Sequence, residues 1–189
     1  MIVFRHTDPR FPFLWETAGQ PGGRWNAEGE GPVNTFADRP EGAWAELLRH
    51  EEITDPRDVA EIRRSLWAVD VGDLPAAQPE LPRATMTGGP RSYVACRSEA
   101  ARLRGRGTEG FTAPSAALVR GGAHGWRVEG GLRPGPDRDG TVIVLFGPRP
   151  DLVGWEAAYE GRPSDELLSR VRHFGRRSAA RWPGSAGPH

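Results

Sequence analysis

Six consecutive residues, Thr141–Phe146, are the most strand-like segment of this 189-residue chain. Each is β-branched or apolar, and Gly140 and Gly147 bound the run on either side, which is typical of a buried strand. A strand that is apolar on both faces must be covered on both faces. The segment therefore predicts a domain built around a buried sheet.

The rest of the chain predicts an α+β fold, a single domain with a mixed or antiparallel sheet and flanking helices. Its length suits one domain, and its 25 glycines and 18 prolines predict many loops and short regular elements. Strands are predicted at 2–6, 33–37, 65–71, 111–119, 141–146 and 152–159, and helices at 40–52, just after Pro56, at 91–104 and at 163–174.

The boundaries follow from composition and helix signals. Residues 1–160 are expected to form the main domain, an amphipathic helix within 161–182 to pack on it, and 183–189 to be a flexible tail. Asp38 is a candidate cap for the helix at 40–52, and Ser164 for the last helix. The segments 74–90 and 121–139, rich in Pro or in Gly and Arg, are predicted to be loops.

The composition excludes several classes of protein. No apolar run approaches the roughly 20 residues of a membrane-spanning helix, and the first residues lack a signal-peptide pattern. A single cysteine, Cys96, excludes an internal disulfide, and all 25 basic residues are arginine, which excludes lysine chemistry. Net charge is zero, whereas nucleic-acid binding normally needs a concentrated basic face. We therefore expect a cytoplasmic protein without a membrane or direct nucleic-acid partner.

The run Gly22-Gly23-Arg24-Trp25-Asn26 is the first candidate for a binding site. A guanidinium presents a planar fork of donors that matches phosphate oxygens. Flanking glycines let the backbone approach a ligand closely. The alternative is an exposed arginine on a surface turn, which is common in a chain with this much Gly and Arg.

Glu46 and Ser115 are the other two candidates. Glu46 borders the apolar stripe of the helix at 40–52, where a carboxylate can bind ribose hydroxyls and stabilise positive charge at the anomeric carbon. An ordinary i,i+4 pair with His50 is equally consistent. Ser115 lacks a Gly-x-Ser-x-Gly frame, so it is either a positioning hydroxyl or a serine satisfied within a strand.

Other chemistry finds no support in the sequence. The glycines at 105, 107 and 110 have dinucleotide-fingerprint spacing, but they follow a predicted helix and precede a predicted strand, the reverse of the required order. The five histidines and the one cysteine lack metal-ligand spacing. No metal site is predicted.

Together these motifs resemble the RES-domain family, named for an Arg, a Glu and a Ser. Phe4-Arg5 resembles the family's opening aromatic–Arg pair, and the run at 22–26 matches its most specific motif. Ala37, Pro40, Ala43 and Glu46 match the helix that carries the glutamate, and residues 113–115 match the serine motif. The similarity covers about residues 2–160.

The resemblance implies a fold like that of ADP-ribosyltransferases. It also implies NAD as the substrate, with no separate cofactor, cleaved at the nicotinamide–ribose bond by hydrolysis or phosphorolysis. Family members are often bacterial toxins of two-gene toxin–antitoxin systems. Their partner is typically a helix-turn-helix antitoxin of the Xre type.

Roles for individual residues follow from the same resemblance. The implied catalytic residues are Arg24, which would hold the diphosphate, Glu46, which would bind the nicotinamide ribose and stabilise an oxocarbenium-like transition state, and Ser115, which would position the nicotinamide. Arg5 would add a second phosphate contact. The other expected NAD-binding residues are Trp25, Asn26, Thr35 and Phe36.

The chain departs from the family pattern at two places. After the serine strand, where the family tends to have an Asn and an Asn-Pro pair, it has His124, Arg127, Arg133 and Pro134. The other departure lies in the expected site. Family members usually carry a tyrosine on the strand before the glutamate helix, and that position falls on Thr35, beside Phe36. Phe36 could stack on nicotinamide but has no hydroxyl. Two alternatives therefore stay open, an ADP-ribosyltransferase acting on a protein or small molecule and a non-catalytic NAD-binding module. Exposed tryptophans would also allow a homodimer.

Overall fold

The strand predicted at Thr141–Phe146 lies inside a six-stranded antiparallel sheet. The computed structural model describes residues 1–16, 19–73 and 75–174. Its strands are β1 (Ile2–Thr7), β2 (Val33–Ala37), β3 (Arg64–Asp70), β4 (Gly110–Pro114), β5 (Ala123–Val128), β6 (Leu132–Arg138), β7 (Thr141–Phe146) and β8 (Val153–Gly161). The sheet has the order β4-β7-β2-β1-β3-β8, and β5 pairs with β6 in a separate ribbon.

Helices flank this sheet, as the sequence predicts for an α+β domain. In the part of the chain that the structure describes they are α1 (Pro40–His50), α2 (Pro56–Glu61), α3 (Arg83–Met86) and α4 (Tyr93–Gly105), with short 3-10 helices at Pro90–Ser92 and Asp165–Arg170. None of the helices among these residues is both long and apolar enough to cross a bilayer.

Strand β7 is covered on both faces, which explains its unbroken apolar sequence. On one face Val144 packs with Phe111 of β4 and Leu103 of α4. On the other, Ile143 packs with Phe36 of β2. Since successive side chains of a strand point to opposite faces, a strand between two packed layers is apolar at every position.

Helix α1 buries the apolar stripe that predicted it. Ala43, Trp44, Leu47 and Leu48 are all buried and pack in one cluster with Leu66 of β3. The i, i+1, i+4, i+5 spacing places these side chains on one side of the helix, and the half-buried Glu46 lies at the border of that face.

The sheet opens between β1 and β2. Strand β1 pairs with β3 at six consecutive positions, but with β2 through the single pair Phe4↔Ala37. Beyond that pair β1 and β2 are not paired with each other. The candidate site lies at this opening.

The predicted cap of α1 by Asp38 is wrong. The cap position is Arg39, without a side-chain hydrogen bond. The Asp38 carboxylate instead accepts hydrogen bonds from the Thr141 backbone N–H, at 3.0 Å, and from the Arg138 guanidinium. These donors come from a distant part of the chain, so Asp38 ties the start of α1 to β7.

The predicted loop at 121–139 is also wrong, since β5 and β6 form a hairpin there. Gly130 and Gly131 make the turn, with φ values of 63° and 129°. Two consecutive positive φ angles favour Gly-Gly in a tight hairpin turn. Pro134 and Pro136 are tolerated because a two-stranded ribbon consists only of edge strands.

Two further segments differ from the prediction. The loop expected at 74–90 contains the short helix α3, and the strand expected at 111–119 ends at Pro114. Residues after Pro114 form a turn because the Ser115 hydroxyl accepts backbone hydrogen bonds there.

The C-terminal amphipathic helix is a single short 3-10 helix in the described residues. Ser164 caps it as predicted, accepting a hydrogen bond from the Glu166 N–H at 3.3 Å. The helix ends because Val171 forms a β-bridge with Leu118 and the Arg172 N–H donates to the Ala117 carbonyl. The rest of the predicted helix, 175–182, and the predicted tail at 183–189 lie outside the described residues.

Candidate functional site

A cavity of about 290 Å³ lies at the opening between β1 and β2. Seven of the eight predicted site residues line it, namely Arg5, Arg24, Trp25, Asn26, Thr35, Phe36 and Glu46. The eighth, Ser115, does not line it, although its neighbours Pro114 and Ala116 do. Residues more than 40 positions apart in sequence thus share one chamber.

A larger cavity, of about 450 Å³, lies elsewhere and is lined by Val71, Glu109 and Arg149 among others. None of the predicted site residues contacts it. Its size alone gives it no chemistry, and we place the candidate site in the smaller cavity, where titratable and cationic groups converge.

The turn at 22–26 is closed by hydrogen bonds within it, which set where the Arg24 side chain begins. The Gly23 N–H donates to both the backbone and the side-chain oxygen of Asn26, at 3.0 and 3.1 Å. A Cβ on Gly23 would lie 2.8 Å from the Asn26 Oδ1, so any larger residue there would displace the Asn26 side chain. Trp25 is buried and packs edge-to-face on Phe111, with ring centroids 4.9 Å apart. Trp25 and Asn26 thus anchor the turn that presents Arg24.

The Arg24 guanidinium contacts a segment that follows α3. It donates to the Gly88 carbonyl at 2.8 Å and to the Ser92 hydroxyl at 3.3 Å. It also lies over the ring of Tyr93, with 4.6 Å between the guanidinium carbon and the ring centroid. The interpretation as a freely exposed arginine is therefore wrong.

Glu46 combines the two interpretations that the sequence left open. It lines the cavity, and its Oε2 lies 3.5 Å from the Nε2 of His50, one helical turn away. Burial raises the pKa of the Glu46 carboxyl, but the hydrogen bond with His50 and the charges of Arg49 and Arg24 outweigh burial and hold the pKa below its ordinary value. Glu46 is therefore ionised at neutral pH.

Arg49 is a site residue that sequence reasoning missed. Its side chain is 2 % exposed and lines the cavity. It donates to the carbonyls of Ala116, of Arg172 at 2.8 Å and of Gly88 at 3.0 Å. One signal was present, since Arg49 follows the buried Ala45 by four residues and so lies on the buried face of α1.

His6 is a second cavity residue that the sequence did not single out. Burial and the nearby charges of Arg64 and Arg5 lower the pKa of its imidazole to about 3, although Glu46 opposes the shift. The ring is therefore neutral at neutral pH. Its Nδ1 is buried, and no hydrogen-bond partner for it is found among the described residues. His6 thus lines the cavity without adding a charge to it.

Arg5 and Phe36 contact each other at the back of the opening. The Arg5 guanidinium carbon lies 5.9 Å from the Phe36 ring centroid, and its Nη1 donates to Asn34 Oδ1 at 3.3 Å. Burial lowers the pKa of Arg5, and the charge of Glu16 opposes that shift. Phe36 is only 2 % exposed, so little of its ring surface is open to a ligand.

A tyrosine lines the cavity, but it does not come from the strand where the family carries one. Thr35 occupies that strand position and lines the cavity, whereas Tyr93 reaches the cavity from the start of α4. Burial raises the pKa of the Tyr93 phenol, against the charges of Arg24 and Arg49. The sequence placed Tyr93 on a helix but could not show which way it faces.

Ser115 lies behind the cavity wall. It is 5 % exposed, and its hydroxyl accepts hydrogen bonds from the N–H groups of Ala117 and Leu118, at 3.2 and 3.1 Å. This is the satisfied serine of the alternative interpretation, although in a turn and not in a strand. Its hydroxyl shapes the wall formed by Pro114 and Ala116, and a contact with nicotinamide stays a prediction.

The cavity is cationic in character. Across residues 1–16, 19–73 and 75–174, no group of three or more His, Cys, Asp or Glu side chains is arranged to hold a metal ion. Three arginines, Arg5, Arg24 and Arg49, line the chamber with the single carboxylate of Glu46. The three arginines suit an anionic ligand, and the carboxylate suits a ligand that also carries hydrogen-bond donors such as hydroxyls.

Comparison with known proteins gives one family and one related fold. A model of the family described as "RES domain" matches residues 2–163, which include all eight predicted site residues. No curated protein matches the chain in sequence. A chain in the crystal structure of the M. tuberculosis MbcT-MbcA toxin-antitoxin complex is similar in structure, with a TM-score of 0.56 and 19 % identity over 89 % of this chain and 86 % of that chain. At this identity the likeness shows the fold alone.

Proposed function

Because the chain belongs to the RES domain family, we propose that it consumes NAD by breaking the bond between nicotinamide and ribose. One observation carries the proposal. A single 290 Å³ cavity contains a fixed guanidinium, Arg24, and an ionised carboxylate, Glu46, so that one ligand can contact both. The Arg24 guanidinium can bind the anionic diphosphate of NAD, and the Glu46 carboxylate can accept hydrogen bonds from the hydroxyls of its nicotinamide ribose.

The proposed chemistry needs little acid catalysis. The bond between C1′ of the ribose and the ring nitrogen breaks with its electron pair going to nitrogen, so the cationic ring leaves as neutral nicotinamide. Positive charge develops at C1′, and the ionised Glu46 stabilises it electrostatically. An acceptor then attacks C1′; if the acceptor is water, it loses a proton. Water, phosphate and another acceptor all remain open.

The groups around Glu46 support these separate roles, in which Glu46 stabilises positive charge and Arg24 binds the diphosphate. The lowered pKa of its carboxyl keeps the negative charge present at neutral pH. The neutral His6 beside it adds no positive charge that would oppose an oxocarbenium-like state. Arg24, held by the turn at 22–26, would fix the diphosphate and so orient C1′ toward the carboxylate.

We propose further that the protein is the toxin of a toxin–antitoxin pair. The structural likeness to a chain of the MbcT-MbcA complex supports this role. A helix-turn-helix antitoxin of the Xre type is the partner that the family resemblance implies. That partner, a homodimer and the cytoplasmic location stay predictions.

The direct test is nicotinamide release from NAD by the purified protein, freed of any partner, with and without phosphate. We expect release by the native chain and a loss of about 10²-fold or more in Glu46→Gln, as when a transition-state charge partner is removed. Glu51→Gln, which changes an exposed carboxylate just after α1, is the matched control and should retain full activity.

Labelled NAD separates the alternatives within the same assay. Label ending in free or phosphorylated ADP-ribose supports cleavage, whereas label on a macromolecule indicates an ADP-ribosyltransferase. NAD binding without any turnover indicates the non-catalytic module. No release and no binding would exclude the proposal.

A further inference from the structure

One short segment surrounds the Arg24 guanidinium on three sides. Residues 88–93 supply the Gly88 carbonyl at 2.8 Å, the Ser92 hydroxyl at 3.3 Å and the face of the Tyr93 ring at 4.6 Å. None of these residues belongs to the motifs that predicted the site. The end of the Arg24 side chain is therefore fixed by a part of the chain more than 60 residues away.

Helix α4 also fixes the start of the same side chain. Arg97, one turn after Tyr93 on this helix, donates from Nε to the Gly23 carbonyl at 2.8 Å. The backbone just before Arg24 and the guanidinium at its tip are thus both held by α4 and the residues that lead into it. A long arginine side chain loses considerable rotamer entropy when it is ordered. Here that ordering precedes ligand binding.

The contacts leave donors for a ligand. A guanidinium has five N–H groups, and two of them, one on Nη1 and one on Nη2, donate to the described residues. The ring of Tyr93 covers a face of the guanidinium, and a face carries no N–H. Stacking on an aromatic ring therefore sets the plane of Arg24 without occupying the donors that lie in it.

The charges nearby favour an anion at this position. Arg24 and Arg49 both donate to the same carbonyl oxygen, that of Gly88, at 2.8 and 3.0 Å. Two guanidinium groups that share one neutral acceptor repel each other, and the repulsion is stronger in a partly buried site. An anionic group that binds Arg24 reduces this repulsion.

We propose that Tyr93 is a positioning residue for Arg24, and that its ring, not its hydroxyl, sets the guanidinium plane for a diphosphate. The inference rests on the proposed function, in which Arg24 holds that group. It assigns a site role to a tyrosine from α4 in a chain whose strand position holds Thr35. Ser92 assists by fixing the rotation of the guanidinium within its plane.

The test is calorimetric binding of ADP, with adenosine as the probe that lacks the diphosphate. Tyr93→Leu removes the ring, and we expect ADP affinity to fall about ten-fold, the range of a desolvated cation–π contact. Tyr93→Phe keeps the ring and should bind ADP within about two-fold of the native chain. Adenosine binding should change little in either variant. Val94→Ala, exposed on the same helix, is the matched control.

A double-mutant cycle tests whether Tyr93 acts through Arg24. In an Arg24→Ala background, Tyr93→Leu should cause no further loss of ADP affinity, because the group it positions is gone. In NAD turnover, Tyr93→Leu should raise KM about ten-fold with kcat changed much less. Ser92→Ala, which leaves the packing of Tyr93 intact, should give a smaller loss of the same kind and serves if Tyr93→Leu fails to fold.

The outcomes separate the two proposals. Equal losses in Tyr93→Phe and Tyr93→Leu would assign the effect to the hydroxyl and overturn the inference, as would additive losses in the cycle. Native ADP affinity in a folded Tyr93→Leu or, if that variant does not fold, in Ser92→Ala would also overturn it. If the native chain binds ADP no better than adenosine, Arg24 does not hold a diphosphate and the inference fails, whereas nicotinamide release from NAD still decides the proposed function.

Discussion

The two walls of the cavity are built in different ways. One, the α1 wall, consists of Glu46 and, one helical turn later, Arg49 and His50. The other, the turn wall, consists of residues 22–26, and it is held in place by α4 through Arg97, 74 residues further along the chain. The α1 wall carries the carboxylate proposed to act on ribose, and the turn wall carries the guanidinium proposed to hold the diphosphate.

The arginines of the two walls show what the difference means. Both donate to the Gly88 carbonyl. Arg49 is buried and shared among three carbonyls, so its charge holds α1 to the segments around it. Arg24 lines the cavity and, among the described residues, donates to only one carbonyl, that of Gly88, and to the Ser92 hydroxyl, so three of its five N–H groups are left for a ligand. An arginine therefore stabilises the fold on the α1 wall, at Arg49, and is available to bind a ligand on the turn wall, at Arg24.

The largest effect is expected from Arg49→Met, which tests the cohesive role. The change leaves the carbonyls of Gly88, Ala116 and Arg172 without this donor, and we expect a loss of about 3 kcal/mol or more in the free energy of unfolding. Urea unfolding measures it. Arg57→Met, at an exposed arginine of α2, should leave the free energy of unfolding nearly unchanged. Equal free energies of unfolding for Arg49→Met and Arg57→Met would show that Arg49 does not hold α1 to its neighbours.

Arg24→Ala should have the opposite profile. The free energy of unfolding should change by no more than about 1.5 kcal/mol, because Gly88 O keeps Arg49 as a donor. KM for NAD should rise about ten- to a hundred-fold, the value of charge-assisted hydrogen bonds to a phosphate. Steady-state kinetics beside urea unfolding checks both. If Arg24→Ala is as unstable as Arg49→Met and its KM is unchanged, Arg24 stabilises the fold and does not bind the substrate.

Ser115→Ala is expected to be milder, because its hydroxyl lies behind the cavity. Loss of the two accepted backbone hydrogen bonds should cost about 1 kcal/mol of stability. Activity should fall less than in Glu46→Gln. Ser164→Ala removes a similar hydroxyl contact far from the cavity and controls for the loss of a cap. A loss of activity that equals Glu46→Gln would instead place Ser115 in direct contact with the substrate.

The smallest effect concerns pH. The pKa of Glu46 is lowered in the folded chain, so its ionised form stabilises the fold above the ordinary carboxyl pKa, and that stabilisation is lost as the pH falls through the lowered value. His50→Ala removes a group that lowers this pKa. We expect the acid limb of the kcat profile to move to higher pH. An unmoved limb, with activity intact, would show that Glu46 does not set it.

The sequence predicts the central group of each wall but not the residues that approach the cavity from other elements. The apolar stripe of α1 predicts the helix and places Glu46 at the border of its buried face, and the glycine-bounded Arg24 predicts a close turn. Tyr93 and His6 could not be assigned to the cavity, because α4 and β1 meet it through contacts between distant segments. The hairpin of β5 and β6 is hard to predict for a different reason, since its Gly130-Gly131 turn has the same Gly-rich composition as a loop.

The contacts of Asp38 and Ser115 show the same limit. Both have side chains that cap helices or turns, and the sequence alone could not tell which backbone N–H each would reach. Asp38 finds its donor on β7, whereas Ser115 finds two in the residues that follow it. Local patterns therefore predicted the elements and the chemistry at Arg24 and Glu46, while long-range contacts decided how those groups are held.

The most direct measurement is a crystal structure of Glu46→Gln with NAD bound, since this variant should hold the substrate without cleaving it. The account predicts one NAD molecule in the cavity between β1 and β2, with its diphosphate within hydrogen-bond distance of Arg24 and its nicotinamide ribose against residue 46. NAD bound in the larger cavity near Arg149, or bound with its diphosphate away from Arg24, would contradict it.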